Sequence, residues 1–160
     1  MSKTLSSRQA TIDPREFDSH HVQFVVDRFY NTAKHTPAER FDWKPQSEHA
    51  KSAHEILKHV VEGNHILLHA LSERKPLSPS LLSEEERKHI QAETNEYTQA
   101  LEALRTSGQK VADLVKSIPI ELLQQKEMAV LVMASIVHMS YHWGQLCYLQ
   151  TMWGDMENYR

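Results

Sequence analysis

Residues 128–153 read MAVLVMASIVHMSYHWGQLCYLQTMW, and this stretch decides the fold. No Asp, Glu, Lys or Arg occurs from position 128 to position 154, although charged residues make up 24% of the chain. A run of this kind is typical of a buried helix, because apolar side chains are the ones that fill protein interiors. The stretch carries two histidines, His138 and His142, which we expect to be buried with it.

The spacing of His138 and His142 favours a metal site. Residues four apart on a helix share one face, with Cβ atoms about 5–6 Å apart, so two ring nitrogens can reach one ion. The same spacing opens the zinc-protease motif, in which the residue after the first His is the Glu that acts as general base. Met139 occupies that position here, which excludes a protease of this class.

Length and composition predict one domain spanning residues 1–160, of which residues 1–12 are polar and expected to be poorly ordered. Only four glycines occur and the apolar pattern has helical periodicity, so the predicted fold class is all-α. The net charge of −3 comes from interspersed charges of both signs, which argues against nucleic acid as a partner. The eleven histidines suggest metal handling or pH sensing.

Several features fit a cytoplasmic protein. The single cysteine, Cys147, excludes an intramolecular disulfide and fits a reducing compartment. The first eight residues, MSKTLSSR, lack the apolar core of a signal peptide. The uncharged stretch is long enough for a membrane span, but its two histidines and its Ser, Thr and Gln residues argue against one.

Capping signals define the first two helices. The first is predicted over 14–34, with Asp13 as N-cap and a proline at the first helical position. The second begins with a capping box at Ser52 and runs to about position 73. The connection between them carries Phe41 and Trp43, so we expect it to pack against the bundle.

Two further helical segments complete a predicted four-helix bundle, of up-down or crossover form. The third opens with a capping box at Ser83, as one long helix or as a short helix continued by a long one, and ends before Pro119. Gly108 on its seam is a predicted close-approach point or break. The fourth begins at Glu121 or Lys126 and ends near position 152. The third segment keeps a seven-residue apolar repeat at Ile90, Tyr97, Leu104, Val111 and Ile118.

The phase of the second helix selects one of its four histidines. At 100° per residue, one narrow face carries Ile56, His59, Gly63, Ile66, Leu67 and Ala70. The opposite, polar face carries His54, Lys58, His65 and His69. Glu55 and Glu62 lie at the boundary between the two faces. His59 alone is therefore predicted to face the bundle interior.

Three inward histidines, His59, His138 and His142, match the ligand count of an open zinc-type site, whose remaining position holds water or substrate. Imidazole suits Zn, Ni, Fe and Cu alike, so these residues do not select the metal. Cys147 lies on the opposite side of its helix and is a poor candidate ligand. The alternative is three core histidines held by ordinary hydrogen bonds. Because unpaired buried imidazoles are costly, the convergence of three favours a metal.

These residues resemble the DinB/YfiT-like family, which is not the DNA polymerase that shares the DinB name. The resemblance rests on HMSYHWGQL at 138–146, on WKP at 43–45, and on the helix opened by Ser52 that contains His59. It implies a four-helix bundle, often a homodimer. It also implies that one divalent metal ion is bound by His59, His138 and His142.

The resemblance also suggests a class of chemistry. Characterised members include thiol-dependent S-transferases and a mycothiol-dependent isomerase, so the implied cofactors are a divalent ion (Zn, Ni, Mn or Fe) and a low-molecular-weight thiol. The family frequently has Arg where this chain has Trp143. An anion contact at that position is therefore not carried over to this chain.

Three functional hypotheses follow. The first is a metal-dependent enzyme, of thiol S-transferase or hydrolase type, that activates water or a thiol for attack on a small-molecule electrophile. Glu55 and Glu62 are its candidate bases, against the alternative that both are solvated helix-edge carboxylates. The second is a non-catalytic metal-binding or stress-related protein, and the third is a bundle that retains the histidines without metal.

The fourth helix also predicts an oligomer. Val130, Met133 and Val137 lie away from the two histidines, yet no charged residue alternates with them. A helix that is apolar on every side must be covered on more than one side. A second subunit is the simplest cover, so we expect a homodimer.

Overall fold

Six α-helices and two 3₁₀ turns make up the computed structural model, which describes residues 12–159. The helices are α1 (Pro14–Lys34), α2 (Ala53–Glu73), α3 (Glu84–Glu93), α4 (Tyr97–Ser117), α5 (Ile120–Leu123) and α6 (Lys126–Met152), and the turns are Ala38–Arg40 and Pro79–Leu81. No strand occurs within the described range, which confirms the all-α prediction. We predicted that residues 1–12 are poorly ordered. All of these residues except Ile12 lie outside the described range.

The four long helices, α1, α2, α4 and α6, form a four-helix bundle. α4 and α6 each pack against both α1 and α2, so the order around the bundle is α1, α4, α2, α6. The connections from α1 to α2 and from α4 to α6 therefore run across the bundle, as in the crossover form of the prediction. α2 and α6, which carry the three candidate ligands, are neighbours.

Side-chain caps fix the helix starts that the sequence predicts. The Asp13 carboxylate accepts a hydrogen bond from a backbone N–H in the first turn of α1. Ser52 Oγ accepts from the Glu55 backbone N–H, and the Glu55 carboxylate accepts from the Ser52 N–H at 2.9 Å. Ser83 and Glu86 form the same reciprocal box before α3. Each cap satisfies backbone donors that a helix leaves free at its N-terminus.

The third helical segment is a short helix continued by a long one, which is the second form of the prediction. α3 ends where Thr94 Oγ1 donates to the Ile90 carbonyl oxygen at 2.7 Å, and α4 begins three residues later. The repeat is buried as predicted, at Ile90, Tyr97, Leu104, Val111 and Ile118. α6 begins at the later of its two predicted positions, because residues 120–123 form the separate helix α5.

Gly108 is a close-approach point, and α4 runs through it unbroken. A Cβ at this position would lie 2.5 Å from Val26 Cγ2 on α1, closer than real side chains come. The glycine therefore lets α1 and α4 pack tightly near the middle of the bundle.

The aromatic connection between α1 and α2 packs against the bundle, as predicted. Phe41 stacks on the Tyr97 ring, with centroids 3.8 Å apart and an interplanar angle of 7°. Trp43 makes an edge contact with Trp153, with centroids 6.1 Å apart. This connection covers one side of α2 that would otherwise face water.

One prediction about α2 is wrong. His54 was placed on the polar face, but it is buried. Its Nε2–H donates to the Thr94 carbonyl oxygen at 2.9 Å, and its Nδ1 lies 3.2 Å from the Asp42 carboxylate. A helical projection of α2 treats the side away from the apolar stripe as solvent, whereas residues from the connection and from the α3–α4 junction cover it. His59 is therefore not the only inward histidine of α2.

The buried side of α2 is also wider than the narrow face that was predicted. Further buried residues of α2 are Ala53, Leu57, Val60, Val61, Asn64 and Leu71. α2 packs against α4 as well as α6, so side chains on two sides of the helix are buried. His59 lies at the α6 edge of this wide buried side, where it is half-buried.

One side of α6 is exposed. The exposed apolar side chains on α6 include Val130, Met133, Val137, Tyr141 and Tyr148, which we call the α6 apolar stripe. Val130, Met133 and Val137 each expose more than half of their surface, so the single chain does not bury all of this charge-free helix. Among residues 12–159 no helix, α6 included, combines the length and apolar character needed to cross a bilayer.

Candidate metal centre

Three imidazoles converge between α2 and α6. The ring centroids of His59 and His138 are 5.2 Å apart, those of His59 and His142 are 4.6 Å apart, and those of His138 and His142 are 4.7 Å apart. One nitrogen from each ring can be chosen so that all three lie within 4.8 Å of one another. The structure thus brings together the three residues that the sequence selects.

The distance between two of these nitrogens fits a shared ion. His59 Nε2 and His138 Nε2 are 3.3 Å apart. Two nitrogens at the usual 2.0–2.1 Å from one tetrahedral ion are about 3.3–3.4 Å apart. The same contact is short enough for a hydrogen bond between the two rings, but His138 Nδ1 is buried without a partner, so hydrogen bonds satisfy only one side of this ring. These observations fit a bound divalent ion better than three hydrogen-bonded core histidines.

All three rings are held neutral, which is the form that binds metal. Burial, together with the neighbouring His142 and His59, lowers the pKa of His138 to about 4. Burial is also the main cause of the lowered pKa of His59 and of His142. The Lys51 ammonium adds to the lowering at each ring, so a positive charge lies near the cluster. Sequence analysis did not identify Lys51.

Gln145 orients His142. His142 Nδ1–H donates to the Gln145 side-chain oxygen at 2.7 Å, which leaves Nε2 free to bind a metal ion. Around metal sites a carbonyl or carboxylate usually accepts the second N–H of each ligand ring. His142 has such an acceptor in Gln145, whereas His138 Nδ1 has no partner.

Gly63 makes room for His138. A Cβ at position 63 would lie 2.5 Å from His138 Cε1, so only glycine leaves space for the ring in this position. Gly63 lies one helical turn after His59. The same side of α2 therefore carries the His59 ring and the space that the His138 ring fills. The sequence placed Gly63 on the inward face but gave it no role. The sequence signal that could have identified this role is a glycine four residues after an inward histidine.

A comparison with protein-family models places this geometry in context. The model described as the DinB family matches residues 17–157, which is most of the chain. The chain belongs to the DinB family. This match to the family model confirms the resemblance inferred from the histidine motifs. No curated protein and no solved structure gave a significant match.

This DinB-family chain uses Trp143 to join two helices. Trp143 Nε1–H donates to Thr32 Oγ1 on α1 at 2.9 Å, so the indole fixes α6 against α1. Cys147, one turn further along, is half-buried, and its thiol also interacts with Thr32. Trp143 and Cys147 therefore face α1, whereas His138 and His142 of the same helix face His59 on α2. The prediction that Cys147 is a poor candidate ligand agrees with this arrangement.

The two candidate bases have different surroundings. The Glu55 carboxylate accepts a hydrogen bond from the Ser52 backbone N–H in the capping box, and it accepts a second one from Lys44 Nζ at 2.5 Å. Glu62 pairs with Arg87, with Nη1 and Oε1 2.7 Å apart, and borders a cavity beside His59. Of the two, only Glu62 is placed where a ligand near the histidines can meet it.

An apolar cavity lies over the histidine cluster. Its volume is about 540 Å³, and its walls come from α2, α6 and the turn at Pro79–Leu81. His59 and His138 form its polar floor, together with Glu62. The apolar lining residues include Ile66, Leu67, Leu77, Ala134 and Val137. A cavity of this size and character is typical of a small-molecule site.

Proposed function

We propose that this DinB-family protein is a metal-dependent enzyme in which His59, His138 and His142 hold one divalent ion (Zn, Ni, Mn or Fe). Such an ion would supply Lewis acidity and lower the pKa of a bound water or thiol. The reaction is attack of that water or thiol on a small electrophile, of hydrolase or thiol S-transferase type. The single observation that carries the proposal is the convergence of three neutral imidazoles beside an open cavity.

The protein's own residues have separate roles in this proposal. Gln145 sets the tautomer of His142, and Gly63 gives His138 its position. Glu62, which forms an ion pair with Arg87, is the candidate proton acceptor, because it borders the cavity next to His59. The apolar wall excludes water from the body of a bound substrate. We therefore expect an electrophile with an apolar body.

The open cavity supports an enzyme over a closed metal-storage protein. A site that only stores metal needs no space for a second molecule, whereas a catalytic site keeps a position for water or substrate. Here about 540 Å³ of space adjoins two of the three candidate ligands. The cytoplasmic location expected from the sequence remains part of this proposal.

Metal analysis of purified variants tests the proposal. His59→Ala and His142→Ala should each abolish stoichiometric metal, while His65→Ala should keep it. His54→Ala should also keep metal, although its folding must be checked because His54 is buried and hydrogen-bonded. If the inward and outward substitutions behave alike, the metal site is elsewhere or absent and the proposal fails.

We also propose a homodimer formed through the α6 apolar stripe. The stripe has no charged residue, and Gly144 on the same helix has nothing within 4 Å of the position a Cβ would take. A small residue within an apolar helix face allows a second helix to approach closely. Burial of the stripe would remove several large apolar side chains from water.

A further inference from the structure

A second cavity, which we call the distal cavity, lies beyond the apolar cavity along the seam between α2 and α6. Its volume is about 450 Å³, and its walls come from the end of α2, the residues that follow it and the first turns of α6. The two helices are antiparallel, because His59 lies beside His138 while Arg74 borders the same cavity as Lys126. The two cavities therefore lie end to end in one groove, which we call the α2–α6 groove.

Leu77 lies where the two cavities meet. It lines both of them, and 46% of its surface is exposed. An exposed side chain changes rotamer within nanoseconds, so Leu77 does not hold the passage between the two spaces closed. The helix rises about 1.5 Å per residue, so the groove is about 18 Å long from position 126 to position 138 of α6. A groove of this length has room for an extended chain.

The floor of the groove is apolar on both sides of Leu77. Met128 and Leu131 line the distal cavity and are almost fully buried. Ala134 follows one turn later on the same face of α6 and lines the apolar cavity. Val130, which is 57% exposed, also borders the distal cavity. A hydrocarbon chain along the groove would cover Leu77 and Val130, which favours binding because apolar surface leaves water.

Positive charge is concentrated at the distal end of the groove. Arg74, Lys75 and Lys126 border the distal cavity, and Glu127 is the one carboxylate in its lining. The Lys75 ammonium pairs with Glu73 at 2.5 Å. The side chains of Arg74 and Lys126 have no hydrogen-bond or ion-pair partner within residues 12–159. This end of the groove therefore attracts an anionic group.

Arg74 also has a backbone conformation that glycine adopts more readily. Its φ is 55° and its ψ is 44°, and no other non-glycine residue within the described range has a positive φ. Glycine is the usual residue where a helix ends in this left-handed conformation, because it has no Cβ. An arginine at such a position indicates a role for the side chain itself.

We propose that the α2–α6 groove binds a linear anionic amphiphile, a fatty-acid-type carboxylate, as a single free molecule. The carboxylate pairs with Arg74 and Lys126, and the hydrocarbon chain runs past Leu77 into the apolar cavity. Charge at one end and an apolar floor along the rest are complementary to this class of ligand. The inference goes beyond the metal proposal and needs no bound ion.

Calorimetric titration of the full-length protein with monomeric decanoate, before and after treatment with a chelator, tests the inference. We expect decanoate to bind in both cases and acetate to give no detectable binding. From hexanoate to decanoate, affinity should rise by up to about fourfold for each added CH₂ group. 1-Decanol has the same chain without the charge and should bind about fivefold more weakly.

Charge variants locate the carboxylate. Lys126→Glu should weaken decanoate binding about fivefold, whereas Lys88→Glu makes the same change at an exposed residue that borders neither cavity and should bind like wild type. Arg74→Gly should also weaken binding about fivefold, yet keep or raise the melting temperature, because glycine suits the left-handed position. A purely structural role of Arg74 would lower the melting temperature and leave decanoate affinity unchanged.

A substitution in the apolar cavity locates the chain. Ala134 lies on the floor between the distal cavity and His138. Ala134→Trp fills this part of the groove, so decanoate should then bind no more tightly than hexanoate. A chain-length dependence that stays the same in this variant would place the chain elsewhere and contradict the inference.

The α6 apolar stripe runs along one edge of the groove. Val130 borders the distal cavity, and Val137 and Tyr141 border the apolar cavity. A second subunit on the stripe would therefore lie beside the groove. Met133→Glu changes the stripe at a residue that lines neither cavity, so it should bind decanoate like wild type. Loss of binding in this variant would place the ligand between two subunits and overturn the inference.

Further outcomes separate this inference from its alternatives. Equal binding of decanoate and 1-decanol, or equal effects of Lys126→Glu and Lys88→Glu, would overturn it. Loss of decanoate binding after metal removal, or in His142→Ala, would place the carboxylate at the histidines and overturn it while supporting the metal site. Binding to phosphatidylglycerol vesicles without binding of decanoate would show a membrane surface in its place. Decanoate binding by a protein that takes up no metal would overturn the metal proposal alone.

Discussion

The imidazole of His138 lies against Gly63 so closely that a Cβ on the glycine would be 2.5 Å from His138 Cε1. Glycine within a helix normally lowers stability by about 0.5–1 kcal/mol relative to alanine. α2 therefore carries a locally unfavourable residue at the position where the His138 ring needs space.

Gly63→Ala should weaken metal binding, because the methyl group displaces the His138 ring from the cluster. The metal-free variant should lose little stability, since the helical gain of alanine offsets part of the clash. Competition with a chromophoric chelator measures the affinity, and thermal unfolding of the metal-free protein measures the stability. Gly144→Ala is the matched control for metal affinity, because that position has open space around it in the single chain, and its effect on the proposed dimer is measured separately. Unchanged metal affinity in Gly63→Ala would contradict the arrangement.

The metal-free protein should lose stability as pH falls from about 6.5 to about 4. Burial lowers the folded-state pKa of His138 to about 4, so in this window the unfolded chain binds a proton that the folded chain does not. One such group contributes a slope of up to about 1.4 kcal/mol per pH unit. Urea unfolding at several pH values measures it. His138→Gln should flatten the slope, and an unchanged slope would show that other groups cause it.

Gln145→Leu should reduce metal affinity about 10- to 100-fold, because His142 would lose the acceptor that fixes its tautomer. Gln145→Glu keeps an acceptor at the same position and should retain most of the affinity. Chelator competition on both variants measures the difference. Equal affinities of Gln145→Leu and wild type would mean that the 2.7 Å hydrogen bond does not orient the ligand.

Met133→Glu should disrupt the proposed dimer, because it places a charge on the α6 apolar stripe at a residue that does not line the apolar cavity. Sedimentation velocity should give a dimer for wild type and a monomer for this variant. Phe24→Glu makes a similar change at an exposed position of α1 and should leave the dimer intact. A wild-type protein that sediments as a monomer would rule out this interface at the concentrations used.

Local sequence signals predicted most of the fold. Asp13, Ser52 and Ser83 fixed helix starts because capping depends on a few neighbouring residues. The i, i+4 spacing predicted that His138 and His142 share a face for the same reason. The position of His59 followed from helical phase, which worked because α6 packs against that edge of α2.

Features that depend on distant segments were missed or misassigned. His54 was placed in solvent because its cover comes from Asp42 and Thr94, which belong to other segments. The need for glycine at position 63 depends on a ring from α6. A further cavity, bordered by Lys58, Arg87 and Gln91, depends on how α3 lies beside α2, and no pattern within one helix specifies that packing.

The candidate ligands come from distant parts of the chain, since His59 and His138 are 79 residues apart in sequence. No contiguous half of the bundle contains the full set, so the centre can assemble only after α6 has docked on α2. An ion bound by all three residues would act as a cross-link between the two ends of the fold. Because it would bind the native state and not the unfolded chain, resistance to unfolding would rise with the logarithm of the free ion concentration.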